Sequence, residues 1–296
     1  MTLKEAYYAG KEKLSAAGVQ ECDLDAFYLL EHVTGITRAG YYADEYRALT
    51  DEQIIAYHSL ISQRAKRVPL QHLTKVQEFM GLPFYVNRHV LIPRQDTELL
   101  VETALAALDG QSVRILDMCT GSGCILISIM AHSRSAPGQI SGTGADISAE
   151  ALAVAAANAR NLQVAAEFIE SDLFENVSGL YDIIVSNPPY IRTADIDRLA
   201  IEVKNHDPLL ALDGKADGLF FYREIVKQSR EYLVKGGRLI MEIGCDQGLD
   251  VSRMMTAQGF SDVIVKKDLA GLDRVVSGVY DKRVECKKGL RGCLTD

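Results

Sequence analysis

Residues 113–132 read VRILDMCTGSGCILISIMAH, and their reading decides the fold. Val113–Cys119 is an apolar run of the kind buried on both faces of a sheet, and Cys124–His132 begins a helix. Strand, glycine turn and helix in this order form the unit from which parallel sheets are built. In such sheets ligands bind beyond the carboxyl ends of the strands, which makes the loop Cys119–Gly123 a candidate site. Gly121 and Gly123 let the backbone pass close to a ligand and open the next helix with free N–H groups. An ordinary strand-to-helix turn accounts for two such glycines equally well. The third glycine of a dinucleotide fingerprint is absent, with Ile125-Leu126 in its place, which disfavours NAD.

Toward the C-terminus the alternation continues. Gln139–Ile147 reads as the second strand, Ala149–Asn161 as an Ala-rich helix, and Ala165–Ser171 and Tyr181–Ser186 as the third and fourth strands. Leu219–Val234 is a helix, and Gly236-Gly237 turns into the strand RLIMEIG. Asp262–Lys267 and Arg274–Tyr280 finish the pattern. Only a short Gly-Leu-Asp region separates these last two strands, too little for a crossover helix, so one must run antiparallel to its neighbour. The expected fold is α/β, the mixed seven-stranded sheet of class I (Rossmann-like) methyltransferases.

Toward the N-terminus, residues 1–75 have apolar residues at helical spacing, among them Leu24, Phe27, Tyr28 and Leu30. Thr50-Asp51-Glu52-Gln53 is a capping box, opening a helix with Ile54, Ile55, Tyr57, His58 and Ile61 on its inner face. These residues predict a small bundle of about four helices. Gln77–Met80 and Phe84–Val86, separated by Gly81-Leu82-Pro83, read as a β-hairpin linker over 76–95. The α/β domain then spans 96–282, leaving a tail at 283–296.

The 296 residues carry a net charge of −8. That weighs against holding nucleic acid through its phosphates, which needs a basic surface. The excess negative charge lies after Gln95, and the preceding region is close to neutral. Its local basic run, Arg64, Lys66, Arg67 and Lys75, reads as a solvated helix face or a contact with an acidic or RNA-bound partner. Cys22, Cys119, Cys124, Cys245, Cys286 and Cys293 form no CxxC, no His pair has zinc spacing, and so neither a metal nor a disulfide framework is expected. No apolar run is long enough to span a bilayer, and the first residues lack the apolar segment of a signal peptide. The expected compartment is the cytoplasm.

Three further elements carry chemistry. Asp117 precedes the glycine loop, where a carboxylate can take an ammonium group. Asp146 ends the second strand 23 residues beyond Gly123 and can accept from both ribose hydroxyls, while Ser148 suits the helix cap. Asp172 ends the third strand, either as an acceptor for an adenine amino group or as a cap. Asn187-Pro188-Pro189-Tyr190 follows the fourth strand directly. Its prolines stiffen the backbone, so that the Asn187 side-chain oxygen and the Pro188 carbonyl become paired acceptors and Tyr190 a flat face. Such a set suits an NH2 on a planar group.

These motifs resemble the S-adenosylmethionine-dependent amino-methyltransferases, and more narrowly the HemK/PrmC family. The resemblance rests on Leu91–Glu98 (LIPRQDTE), Leu116–Gly123, Ser186–Ile191 (SNPPYI), Leu210–Ile225, Gly236–Gly248 and Asp268–Gly278, and covers nearly the whole chain. It implies methylation of the glutamine side-chain nitrogen (N5) in the Gly-Gly-Gln loop of class 1 peptide-chain release factors. Asn187, Pro188 and Tyr190 would be catalytic, with Pro189 joining them at the substrate. S-adenosylmethionine would lie against Asp117, Cys119, Thr120, Gly121, Ser122, Gly123, Asp146, Ile147, Asp172, Leu173 and Asn187. Arg94 and Glu98 would hold the substrate loop or cofactor, or form a structural pair, and the N-terminal helices would dock the protein substrate. The chain departs from the family at Gln95, usually Pro, and at Cys119, usually Gly. Leu173 stands where an aromatic residue can lie near the adenine. The same Asn-Pro-Pro-Tyr also serves adenine-N6 and guanine-N2 nucleic-acid methyltransferases, which remain the alternative, although no basic target-recognition region is visible.

Overall fold

The computed structural model describes residues 1–108, 112–133 and 139–281; the tail at 283–296, with Cys286 and Cys293, lies outside the described residues. The N-terminal region forms five helices: α1 (Leu3–Ala16), α2 (Cys22–Thr34), α3 (Arg38–Ala43), α4 (Asp51–Ala65) and α5 (Leu70–Thr74). Thr50 caps α4 through the expected box, its hydroxyl accepting from Gln53 N–H while the Gln53 side chain accepts from Thr50 N–H. The inner face of α4 is narrower than its apolar pattern predicts. Tyr57 and Ile61 are buried, but Ile55 is 70% exposed and His58 faces solvent. The buried stripe of α4 is Tyr57, Ile61 and Arg64, at helical spacing, and Arg64 is buried against Asp25 of α2. Phe27, Leu29 and Leu30 likewise enter the core of the bundle, leaving Leu24 and Tyr28 at its surface.

The hairpin pairs β1 (Val76–Phe79) with β2 (Leu82–Tyr85) around Met80-Gly81, both at positive φ (51° and 71°). The turn is therefore the two-residue kind whose twist suits a hairpin. Leu82 and Pro83, expected in it, belong to β2, where Pro83 is tolerated because the ribbon has only two strands. Asn158 fastens the hairpin to the main sheet by accepting from Tyr85 N–H (2.7 Å) and donating to the Tyr85 carbonyl (3.0 Å).

The remaining chain runs α6 (Glu98–Ala106), β3 (Val113–Met118), α7 (Cys124–His132), β4 (Ile140–Asp146), α8 (Ala149–Asn161), β5 (Ala166–Glu170) and β6 (Tyr181–Ser186). It continues with α9 (Ile201–His206), α10 (Leu209–Leu212), α11 (Phe220–Tyr232), β7 (Leu233–Glu242), α12 (Gly248–Ala257), β8 (Phe260–Lys267) and β9 (Asp273–Tyr280). The sheet order is β5-β4-β3-β6-β7-β9-β8. Every pairing from β5 to β7 is parallel, and β9 is antiparallel to both of its neighbours. The expected mixed seven-stranded sheet is present. Gly236-Gly237 do not precede β7 but form an irregularity inside it, since Tyr181 pairs with Leu233 and Ile183 already with Arg238. Apolar clusters cover both faces of β3, with Leu116 and Met118 in one and Val113 and Ile115 in the other.

Chain order reverses at β3: β4 and β5 lie on one side and β6 on the other. The carboxyl ends of β3 and β6 flank the opening this creates, the position at which open α/β sheets bind ligands.

Candidate active site

A cavity fills that opening. Cys119, Thr120, Gly121 and Ser122 line it after β3, Asp146 and Ile147 after β4, Asp172 and Leu173 after β5, and Asn187 and Pro189 after β6. Four strand ends thus bring together most of the residues singled out from the sequence.

The glycine loop is braced from below. Thr120 donates its hydroxyl proton to Asp117 Oδ2 (2.6 Å) and its N–H to the Ala145 carbonyl (3.0 Å). Asp146 Oδ2 accepts from Gly121 N–H (2.9 Å) and Oδ1 from Ser148 N–H (3.0 Å), so both carboxylate oxygens are held while their remaining lone pairs face the cavity. Ser148 is the cap of α8, as expected, accepting from Ala151 N–H. Cys119 sits at φ 60°, the left-handed geometry that glycine adopts without strain. Gly121 is also left-handed, and a Cβ there would meet nothing within 4 Å, so this glycine opens onto the cavity.

Two residues of the loop motif lie off the cavity wall. Asp117 is fully buried under the loop, where burial pushes its carboxyl up to about 7 and Oδ1 has no partner among the described residues. It holds Thr120 rather than facing a ligand. Gly123 is the left-handed cap of α7, and a Cβ there would press within 3.1 Å of Ala155 in α8, so packing requires it.

After β6, Asn187 lines the cavity and donates through Nδ2 to Thr97 Oγ1 (3.4 Å). Among the described residues, neither its Oδ1 nor the Pro188 carbonyl accepts a hydrogen bond. Pro188 is buried behind the wall. Tyr190 is partly buried: its ring packs against the apolar cluster that includes residues of α11 and β7, and Gln247 Nε2 donates to its backbone carbonyl (3.1 Å). Burial pushes the Tyr190 hydroxyl up to about 12.

Arg94 lines the cavity and pairs with the buried Asp207 (2.8 Å) beside the wall formed by Pro208, Leu210 and Ala211. Glu98 points elsewhere, accepting from Met80 N–H at the hairpin turn (2.8 Å).

The PrmC N-terminal domain family matches residues 5–74, and the methyltransferase small domain family matches residues 94–204. A release factor glutamine methyltransferase of Agrobacterium fabrum is 41% identical over 283 residues, covering 93% of this chain and 96% of the relative. One from Geobacter sulfurreducens is 41% identical over 266 residues, covering 90% and 92%. The chain belongs to the release factor glutamine methyltransferases. A methyltransferase structure from Pyrococcus furiosus, 15% identical, superposes with a TM-score of 0.50 over 68% of this methyltransferase and 90% of its own chain, which bears on the fold alone.

The wall of this methyltransferase also uses residues to which the sequence assigned no role, some of them inside the quoted motifs. His89–Leu91 and Pro93, between hairpin and α6, close one side, and Phe221 of α11 reaches it from another. Loop packing of this kind leaves no periodic trace. Thr97, 2% exposed, joins the cavity lining beside Asn187, and Glu242, also 2% exposed, is level with Asn187 at the end of the neighbouring strand. Glu242 did leave a signal: it is a lone charge ending the apolar run Leu239-Ile240-Met241.

Proposed function

We propose that this chain methylates the side-chain amide nitrogen (N5) of the glutamine in the Gly-Gly-Gln loop of class 1 peptide-chain release factors, with S-adenosylmethionine as methyl donor. The observation that carries the reading is Asn187: it ends a strand at the cavity wall, its NH2 is engaged by Thr97, and its oxygen is left for a ligand.

The residues present suit the donor. Asp146 offers a braced carboxylate to a ribose diol, and Ile147 and Leu173 offer an aliphatic surface to an adenine, with Asp172 at its edge. Cys119–Ser122 bring backbone against the remaining, amino-acid part. S-adenosylmethionine, when bound, supplies an electrophilic methyl carbon on a cationic sulfur.

A glutamine amide nitrogen is a weak nucleophile because its lone pair is delocalised into the carbonyl. Asn187 Oδ1 and the Pro188 carbonyl accept its two N–H groups, which orients the nitrogen and raises its electron density. The donor held there would supply its methyl group to the oriented nitrogen, the sulfur leaving as a neutral thioether and one amide proton passing to water. The protein contributes orientation and preorganised acceptors. Residues 1–75 dock the release factor, and the enzyme acts in the cytoplasm without direct DNA binding. Among the described residues no helix is long and apolar enough to cross a membrane.

Mass spectrometry of release factor incubated with enzyme and donor tests the reading. One added methyl group on the Gly-Gly-Gln glutamine is expected. Transfer of label to DNA or RNA instead of release factor would refute it.

A further inference from the structure

Glu242 ends β7 in a place that the mechanism above does not use. Ser186 pairs with Met241, so Asn187 and Glu242 are the next residues along two adjacent parallel strands. The Glu242 side chain is buried, and its Oε2 has no partner among the described residues. Thr97 lies between strand ends, receiving the Asn187 Nδ2 hydrogen bond (3.4 Å). Thr97 and Asn187 are the neutral polar side chains that act on the Glu242 carboxyl.

The proton count makes this arrangement directional. In its ionised form the Glu242 carboxylate only accepts, and a threonine hydroxyl has one proton to give. With that proton directed at Glu242, the lone pairs of Thr97 Oγ1 face Asn187, which can answer only with its NH2. The opposite amide orientation would set acceptor against acceptor in a dry site. Burial pushes the Glu242 carboxyl up to about 7, with Thr97, Arg274 and Asn187 opposing that rise and Asp96 adding to it. Tyr190, Tyr222 and Cys124 also face it. Arg274 is held in place by Asp96 (3.1 Å) and Asp268 (3.0 Å).

We propose that Glu242, acting through Thr97, is a positioning residue that locks the Asn187 amide with its oxygen toward the substrate NH2. The role rests on the reading of Asn187 given above. It explains why a carboxylate is kept at the end of a buried strand that otherwise holds apolar residues.

The test compares Thr97→Val, Thr97→Ser and Glu242→Gln in the full-length enzyme with release factor as substrate. By analogy with outer partners that orient metal ligands, Thr97→Val should lower kcat roughly 10–100-fold. KM for release factor and the calorimetric Kd for S-adenosylmethionine should stay within about twofold, because the locked atom acts on the reacting nitrogen. Thr97→Ser keeps the hydroxyl and should rescue kcat to within about threefold of wild type. Glu242→Gln should lose kcat as Thr97→Val does, and the double variant should be no worse than either, since the residues act as one unit. Full kcat in Thr97→Val, equal loss in Thr97→Ser, or a loss confined to donor affinity overturns the positioning role and leaves the substrate reading intact. A wild type that leaves the release-factor glutamine unmodified overturns both.

Discussion

Arg67 grips Glu202 with two nitrogens, Nε at 2.7 Å and Nη2 at 3.0 Å. Arg64 adds two more contacts to the same carboxylate (3.2 and 3.3 Å) while its Nε holds Asp25 (2.6 Å). The basic run at the end of the N-terminal helices is therefore neither a solvated face nor free for a partner at these two positions. It ties that region to α9, and Asp207, directly after α9, carries the tie to Arg94 on the cavity wall.

Glu202→Ala should cut this link while leaving Arg64 paired with Asp25. A loss of about 2 kcal/mol is expected, the size of a charge-assisted hydrogen-bond pair that is mostly out of water. Because Pro208, Leu210 and Ala211 form cavity wall just downstream, KM for release factor should also rise. Thermal melts together with initial rates at saturating donor check both. Unchanged stability and unchanged KM would reduce the link to an ordinary surface pair.

Asn187→Ala removes one of the two proposed acceptors for the substrate NH2. The expected loss is about 10²–10³ in kcat, comparable to removing one preorganised donor at an oxyanion site. Donor binding by calorimetry should persist, because the glycine loop and Asp146 are untouched. Near-normal turnover in a folded Asn187→Ala enzyme would contradict the role.

Cys119 at φ 60° should carry left-handed strain of about 1 kcal/mol. Comparing Cys119→Gly with Cys119→Ala isolates it: both lose the thiol packing, and only glycine relieves the backbone. Cys119→Gly should be the more stable by about 1 kcal/mol in denaturant melts. An alanine variant equal to or better than the glycine one would show that the loop bears no such strain.

Asp117, pushed up to about 7 by burial, makes stability depend on pH. Between the ordinary carboxylate range and about 7 the unfolded chain is ionised while the native carboxyl keeps its proton. Stability contributed by this group is therefore full at low pH, declines as pH rises through that window, and levels off above about 7. Asp117→Asn cannot titrate, so its stability relative to wild type should improve from pH 5 to pH 8 by as much as about 2.5 kcal/mol. A difference between the two proteins that stays flat with pH would rule out a raised Asp117 pKa.

The sheet was legible because burial on both faces leaves a run such as Val113–Met118 continuously apolar, and because glycine at Gly121 answers a backbone geometry few residues accept. The contents of the cavity were legible for the same local reason: Asp146, Asp172 and Asn187 each follow a strand end, and in a parallel sheet those ends share one edge. Local pattern failed where one position had rival partners. Ile55 and His58 suited the inner face of α4, but its buried stripe runs through Tyr57, Ile61 and Arg64, the last paired with Asp25.

The succession of strands and helices, edge chemistry and family were thus written into the chain itself, since they depend on residues close in sequence: an apolar run, the turn that ends it, and the side chain just beyond. Which acceptor faces the ligand, which carboxylate is only a brace, and what joins the N-terminal helices to the cavity were decided by folding alone. Glu202 meets Arg67 across 135 residues, and Asn187 meets Thr97 across 90, and no local periodicity encodes a partner that distant.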